Sequence, residues 1–207
     1  SQTYKNRVLI VDFGSQLTKL IARRIRDLGV YSEITTPNKL VKLKNFDGIK
    51  GIIFSGGPST VTAKDFQSVP RQLFNEKIPV LGICYGLQLI AKLFGGKIRY
   101  SKKKREFGRA FLIKKKTSPL IKNFLDKKVS VWMSHEDAVV QLPKNFKTIA
   151  STKDSKLTII ENLKKKIYGV QFHPEVTHTD NGKQIFKNFL FSICKIKKDW
   201  YCYDDPD

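Results

Sequence analysis

Short apolar runs alternate with amphipathic stretches along the first half of the chain. Residues 8–11 form an apolar run typical of a buried strand, and apolar residues recur at helical spacing over 16–28 before Gly29. The further elements expected in this half are strands at 30–34, 51–54 and 78–83 and helices at 64–75 and 86–94. This alternation predicts a parallel sheet with helices on both faces.

The second half contains strand candidates that follow one another with no helix between them. They lie at 110–113, 128–131, 138–142, 148–152, 157–161 and 167–172, and a last amphipathic helix is predicted at 183–196. We therefore predict an α/β fold, with a central mixed, mostly parallel sheet flanked by helices and antiparallel strands added in the second half. The length of 207 residues fits a single domain over 1–207, with its core at about 7–200 and a short acidic tail at 203–207.

Charge, cysteines and apolar runs narrow the class of protein. The net charge is +21, but the basic residues are scattered, are densest over 97–116, and accompany no nucleic-acid-binding motif. We therefore expect solvated surface charge and no nucleic-acid partner. No apolar run approaches the ~20 residues of a membrane span, and the three cysteines (Cys84, Cys194 and Cys202) form no closely spaced pair. A cytoplasmic protein without a membrane partner is the expectation.

The clearest candidate for chemistry is the sequence Gly-Ile-Cys-Tyr-Gly at 82–86, which follows an apolar strand and opens a helix. Such a turn exposes its central side chain, as in a nucleophile elbow with Cys84 in place of serine. The glycines leave room for a strained backbone, and the positive end of the helix dipole stabilises a thiolate. The N–H of Tyr85 is in a position to donate to an oxyanion. The alternative is a buried cysteine with only a structural role.

A cysteine nucleophile needs a base, and the chain has only three histidines, His135, His173 and His178. His173 ends a predicted strand, where the sites of α/β sheets form. Glu175 points the same way as His173 if the backbone stays extended, and the intervening proline favours that geometry. We therefore predict that Glu175 orients His173 and that His173 faces Cys84. The alternative for an isolated His-Pro-Glu sequence is a surface turn.

A second glycine loop, Ser-Gly-Gly-Pro-Ser at 55–59, also follows a predicted strand. It lacks the Lys-Ser/Thr ending of a phosphate-binding P-loop, so an oxyanion donor from the N–H of Gly57 suits the elbow better. Gln88 lies one helical turn after Cys84 and returns to the same face of the helix. It is a candidate for substrate contact, and a solvated helix glutamine is the alternative.

Together, the motifs at 82–86, 55–58 and 173–175 resemble those of the triad-type, or class I, glutamine amidotransferases. Four longer stretches are similar to the subfamily of glutaminase domains that serve GMP synthetases. They are Asp-Phe-Gly-Ser-Gln at 12–16, Leu-Ile-Ala-Arg-Arg at 20–24, Val-Trp-Met-Ser-His at 131–135 and His-Pro-Glu-Val-Thr-His-Thr at 173–179. The resemblance covers about residues 7–200.

The resemblance implies a flavodoxin-like fold and the hydrolysis of glutamine to glutamate and ammonia. Cys84 would attack the carboxamide, His173 would protonate the ammonia and then activate water, and Glu175 would orient His173. The resemblance also implies further roles: Gly57 and Tyr85 in the oxyanion hole; Ser59, Gln88, Ser134 and His135 in glutamine binding; Asp137 and His178 at a partner interface.

The same resemblance implies no cofactor and no metal in this chain. ATP and Mg²⁺ would belong to an ATP-pyrophosphatase domain or subunit of the synthetase, which aminates XMP to GMP. The chain departs from the family pattern at Glu136, where glycine is usual, and at Phe107, where tyrosine is common. Two rival functions stay open: an amidotransferase for another acceptor, such as chorismate or a carbamoyl phosphate precursor, and a catalytically silent basic binding domain.

Overall fold

The computed structural model of the chain describes residues 6–58, 60–100, 106–135 and 137–197. Its strands are β1 (Arg7–Val11), β2 (Ser32–Thr35), β3 (Ile49–Phe54), β4 (Val80–Ile83), β5 (Lys97–Tyr100), β6 (Glu106–Phe111), β7 (Ile113–Lys114), β8 (Ser130–His135), β9 (Asp137–Gln141), β10 (Lys147–Ser151), β11 (Ile159–Asn162) and β12 (Ile167–Val170). Its helices are α1 (Thr18–Asp27), α2 (Pro37–Val41), α3 (Tyr85–Leu93) and α4 (Gly182–Lys187), and a π-helical segment, Asn188–Ile193, continues α4. The predicted acidic tail at 203–207, together with Ser59 and Glu136, lies outside the described residues.

Eight strands form the central sheet in the order β2-β1-β3-β4-β12-β11-β10-β7. The first five are parallel, whereas β11, β10 and β7 are added by antiparallel pairing. The predicted fold class is therefore confirmed, and the parallel part has the flavodoxin-like strand order. Two small antiparallel pairs, β5–β9 and β6–β8, are also present.

Both faces of the central sheet are covered by apolar packing. Val8 and Ile10 of β1 belong to the cluster that includes apolar residues of α1 and α4. Leu9 and Val11 belong to the cluster that includes α3. Successive side chains of a strand point to opposite faces, so a continuous apolar run becomes a strand buried on both sides.

The predicted helix over 64–75 is wrong. The segment before Pro70 has no regular helix, and only a 3₁₀ segment, Arg71–Glu76, follows. Proline lacks an amide donor and disfavours a helical residue before it, so the apolar spacing there does not produce an α-helix. The short helix α2 was missed, although Thr36 caps it and Pro37 occupies its first turn.

The carboxyl ends of four parallel strands lie at one edge of the sheet, where Cys84 is also found. The strands β1, β3, β4 and β12 run in one direction, so the chain leaves all of them at the same edge of the sheet. The first residues beyond them are Asp12, Ser55, Cys84 and Gln171. Sites of α/β sheets form at this edge. Separately, no helix within the described ranges is long and apolar enough to cross a membrane, and the cytoplasmic location stays a prediction.

Candidate active site

Cys84 occupies a strained turn between β4 and α3. Its φ is 54° and its ψ is −105°, outside the regions that L-residues ordinarily adopt. The N–H of Cys84 donates to the carbonyl of Val170 (2.8 Å), and its carbonyl accepts from the N–H of Gln88 (3.2 Å). A Cβ added at Gly82 would lie 2.5 Å from the backbone of Gly86, so the close approach of strand and helix requires glycine. The packed surroundings hold the strain at Cys84 in place.

The backbone amides of Tyr85 and Gly57 are predicted to donate to an oxyanion. Within the described residues, neither the N–H of Tyr85 at the start of α3 nor the N–H of Gly57 has a protein acceptor. The loop of Gly57 borders the cysteine, because a Cβ added at the preceding Gly56 would lie 3.6 Å from Cβ of Cys84. Gly57 itself approaches Phe13 so closely that a Cβ would lie 2.7 Å from the carbonyl oxygen of Phe13. Both amides predicted for an oxyanion hole therefore lie on elements that meet at Cys84.

His173 and Glu175 form a buried pair beside the cysteine. Nδ1 of His173 lies 2.6 Å from Oε1 of Glu175, and the two residues are 6% and 1% exposed. A Cβ at Gly56 would lie 3.1 Å from Cε1 of His173, so the ring borders the same glycine as Cys84. The backbone is fixed from both sides: Arg24 donates to the carbonyl of Glu175 (2.9 Å), and the Thr179 hydroxyl donates to that of His173 (2.7 Å).

The charge of these groups favours a protonated imidazole. Burial alone lowers the pKa of His173, but side-chain hydrogen bonds with Cys84 and Glu175, and the negative charges of both groups, outweigh it and raise the pKa to about 10. The ring is therefore suited to hold a proton as an imidazolium between Cys84 and Glu175. In the same turn, burial raises the pKa of Tyr85 to about 12, although a hydrogen bond to the carbonyl of Gln67 opposes the shift. The Tyr85 phenol is therefore neutral at physiological pH.

The end of β8 and the start of β9 close the other side of the cysteine. The Cys84 thiol lies 3.5 Å from the carbonyl oxygen of Ser134, to which it can donate. Nδ1 of His135 lies 2.6 Å from the carbonyl oxygen of Asp137, so this imidazole nitrogen already has a backbone partner. Asp137 is buried, and its carboxylate accepts from the hydroxyl of Thr60. The place of Asp137 at a partner interface stays a prediction.

Gln88 and Gln171 contribute buried amides to the site. Nε2 of Gln88 donates to the carbonyl of Asp137 (2.9 Å) and to Oε1 of Gln171 (3.2 Å). Nε2 of Gln171 lies 3.6 Å from Sγ of Cys84. Sequence reasoning missed Gln171, although it lies two positions before His173 in the strand predicted at 167–172, where alternate residues would face the same side.

The remaining predicted residues lie farther from the sulfur or are not described. His178 is exposed, and its ring packs on Trp132 with centroids 4.8 Å apart. Ser59 follows the glycine loop but is outside the described residues. Among the described residues, no cluster of three or more histidine, cysteine, aspartate or glutamate side chains could hold a metal ion.

Part of the positive charge is concentrated away from the cysteine. A groove of about 1030 Å³ is lined by six lysines and lies where β12 begins, at the edge of the sheet opposite Cys84. The lysines are Lys77, Lys116, Lys147, Lys164, Lys165 and Lys166. The basic surface and the cysteine site are therefore separate features of the molecule.

The arrangement around Cys84 contains the parts needed for acyl transfer through a covalent thioester. A strained cysteine at a helix start lies beside a histidine that a buried carboxylate orients. The start of α3 and the loop of Gly57 meet at this cysteine, and the N–H groups of Tyr85 and Gly57 have no acceptor among the described residues. The model of the glutamine amidotransferase class-I family matches residues 9–193. The chain therefore belongs to the class I glutamine amidotransferases.

Two named relatives show which members of the family this chain is similar to. The chain is 48% identical over 196 residues to GMP synthase [glutamine-hydrolyzing] from Borrelia garinii subsp. bavariensis, covering 93% of this chain and 36% of that protein. It is 47% identical over 196 residues to the enzyme of the same name from Aquifex aeolicus, covering 93% of this chain and 38% of that protein. The chain thus spans a little over a third of the length of these relatives.

Solved structures match the chain over nearly its whole length. A Thermoplasma acidophilum protein, provisionally named as a GMP synthase subunit, is 30% identical, with a TM-score of 0.81, covering 94% of this chain and 96% of that one. A glutamine amidotransferase from Thermotoga maritima, at 21% identity and a TM-score of 0.68, shares the fold.

Proposed function

We propose that this chain is the glutaminase component of a GMP synthase, which hydrolyses glutamine to glutamate and ammonia. The observation that carries the proposal is the buried arrangement of Cys84, His173 and Glu175 at the carboxyl edge of the sheet. The names of the relatives support GMP synthesis as the use of the ammonia, because these proteins are called glutamine-hydrolyzing GMP synthases.

In the first half of the reaction, the thiolate of Cys84 attacks the carboxamide carbon of glutamine. The oxyanion accepts hydrogen bonds from the N–H groups of Gly57 and Tyr85. The bond from carbon to nitrogen breaks as the imidazolium of His173 gives its proton to the departing amine, which leaves as ammonia. A γ-glutamyl thioester on Cys84 and a neutral His173 remain.

In the second half, water hydrolyses the thioester. Neutral His173 takes a proton from the water, whose oxygen attacks the thioester carbon, and the bond from carbon to sulfur then breaks. Glutamate leaves, and the thiolate and imidazolium are restored. Glu175 holds Nδ1 of His173 throughout, so that the other nitrogen handles the protons. Both halves need only nucleophilic and acid–base chemistry, so the proposed mechanism requires no cofactor in this chain.

Substrate contacts are proposed for Ser59, Gln88, Ser134 and His135. Both hydrogens of the Gln88 amide nitrogen have acceptors in the chain, so Oε1 is the group left to accept from a donor of glutamine. The Ser134 carbonyl borders the sulfur and is a further acceptor in reach of a bound substrate. Backbone groups near Ser59 and His135 would complete the site.

The ammonia is proposed to reach an ATP-pyrophosphatase domain or subunit that aminates XMP to GMP with ATP and Mg²⁺. The relatives support a partner, because they are far longer than this chain. His178 is proposed to face that partner, since it is exposed and packs on Trp132. The carbonyl of Trp132 accepts from the N–H of His173 (3.2 Å), so Trp132 contacts both His178 and the proposed base. We expect the chain alone to be a poor glutaminase that a loaded partner activates.

Glutamate release from glutamine tests the proposal. Wild type, Cys84→Ala and the matched control Cys194→Ala, which removes another buried free cysteine, are each assayed alone. Each is then assayed with XMP, Mg-ATP and the part of a longer GMP synthase relative that this chain does not match. We expect release that requires Cys84, survives Cys194→Ala and rises when XMP and ATP are present.

The other outcomes separate the rival functions. Release that needs Cys84 but ignores the loaded partner would keep the glutaminase and reject GMP synthesis in favour of another acceptor. High release by the isolated chain, unchanged by a loaded partner, would contradict the proposed activation. No release in any mixture, together with salt-dependent binding of nucleic acid, would support the silent basic domain.

A further inference from the structure

Two glutamines form a buried hydrogen-bonded chain that ends on the sulfur of Cys84. Gln88 lies on α3 and Gln171 directly follows β12, and they are 4% and 1% exposed. A buried amide must find partners for its donors and acceptor, so its orientation is fixed by its neighbours. The order of donors and acceptors in this series of hydrogen bonds therefore determines which atom of Gln171 faces Cys84.

The orientation of the Gln171 amide follows from a backbone carbonyl at the opposite end of this series of hydrogen bonds. The carbonyl of Asp137 can only accept, so the nitrogen of the Gln88 side chain must face it, at 2.9 Å. The same nitrogen lies 3.2 Å from Oε1 of Gln171, which therefore accepts. The NH₂ group of Gln171 is left to face Sγ of Cys84, at 3.6 Å.

We propose that Gln171 is a catalytic residue that donates a hydrogen bond to the thiolate of Cys84. An amide donor stabilises a thiolate without protonating it, because the amide does not give up its hydrogen as an acid. His173 has a different task, since its imidazolium must give its proton to the departing amine. The thiol form of Cys84 has another partner, the carbonyl of Ser134 at 3.5 Å. Gln171 thus favours the thiolate of Cys84, and the Ser134 carbonyl favours its thiol.

The proposal rests on the proposed function, in which Cys84 is the nucleophile, but its test does not require turnover. The rate at which iodoacetamide alkylates Cys84 reports the thiolate directly. We would measure this rate from about pH 5 to about pH 9 for wild type, Gln171→Leu and Gln171→Glu, with Cys84→Ala giving the background from other cysteines. The matched control is Gln184→Leu. Gln184 lies on α4, far along the sequence from the elbow, and its amide donates to Asn188 (2.9 Å) in the π-helical segment that follows.

Gln171→Leu removes the donor, and we expect alkylation near neutral pH to slow by about tenfold. Gln171→Glu keeps the shape and the acceptor for Gln88 but places a carboxylate oxygen at the sulfur, so we expect a larger loss. In the glutaminase assay both variants should lower kcat more than they raise KM. Gln184→Leu should alkylate at the wild-type rate.

Near-ultraviolet circular dichroism would establish that each variant is folded. If Gln171→Leu does not fold, the isosteric Gln171→Glu decides the question. Folded Gln171 variants that alkylate at the wild-type rate across the pH range would overturn the proposal. A wild-type protein that is alkylated rapidly, and slowed by Gln171→Leu, but never releases glutamate would uphold the hydrogen bond and count against the proposed function.

Discussion

Glu175 accepts a 2.6 Å hydrogen bond from Nδ1 of His173 at a position where only 1% of Glu175 is exposed. Oε2 of Glu175 has no side-chain or backbone partner among the described residues, so His173 is the hydrogen-bond partner of this carboxylate there. A buried carboxylate held in this way fixes both the tautomer and the orientation of the ring.

Glu175→Gln tests this relationship. The amide keeps the shape but removes the negative charge and can present a donor to Nδ1, so we expect kcat for glutamate release to fall by at least about a hundredfold. The matched control is Glu161→Gln, because Glu161 is also 1% exposed but binds the Ser118 hydroxyl (2.7 Å) instead. Equal kcat values for Glu175→Gln and wild type would contradict the orienting role.

The raised pKa of His173 predicts a pH-dependent contribution to stability. The pKa is about 10 in the folded protein and about 6.5 in an unfolded chain, so folding strengthens proton binding. The stabilisation is therefore fully present below about pH 6.5 and is lost as the pH rises through about 10. We expect the difference in free energy of unfolding between wild type and His173→Gln to shrink over this range in urea titrations.

Gln184→Leu removes no titrating group and controls for the general effect of pH on unfolding. Its difference from wild type should stay constant across the same titrations. A His173→Gln difference that grows with rising pH would show that the histidine is not held as an imidazolium in the folded protein.

The backbone of Cys84 predicts an unusual response to glycine. A residue with a side chain at φ 54° and ψ −105° stores about 1–3 kcal/mol of strain, which glycine does not. Glycine also costs about 0.4–1 kcal/mol through the entropy of the unfolded chain. We therefore expect Cys84→Gly to be more stable than Cys84→Ala by about 1 kcal/mol in urea unfolding, since both lack the thiol.

Ala91→Gly, in the buried part of α3, provides the comparison. There the backbone is helical, so glycine should lower the free energy of unfolding by about 1 kcal/mol. If Cys84→Gly proves less stable than Cys84→Ala, the turn holds no strain of the kind described.

His178→Ala tests the proposed link to a partner. The ring of His178 is exposed and packs on Trp132, whose carbonyl accepts from the N–H of His173. We expect the substitution to reduce the stimulation of glutamate release by a loaded synthetase partner severalfold, and to change the unstimulated rate much less. Leu163→Ala, at an exposed position next to the lysine-lined groove, is the control. Full stimulation of His178→Ala would remove His178 from the interface.

The sequence by itself determined the parts of the fold that depend on local pattern. Continuous apolar runs such as β1 and β4 are buried on both faces, and their composition predicts this directly. The elbow at Cys84 was also predictable, because its glycines are required by backbone contacts within the turn itself. The pairing of His173 with Glu175 was predicted as well, although Pro174 and Glu175 lie in a turn and not in the extended backbone on which the prediction relied.

Only the tertiary structure decided which distant residues meet at the sulfur. The contact of Gln171 with Cys84, and that of Ser134 with Cys84, join positions 87 and 50 residues apart in the chain. They depend on the parallel pairing of β12 with β4 and on where β8 ends, which no local pattern specifies. The burial of Asp137 has the same origin, since its partner Thr60 comes from a different loop. Hydrophobic periodicity reports which face of an element is buried, whereas strand order and register decide what lies against that face.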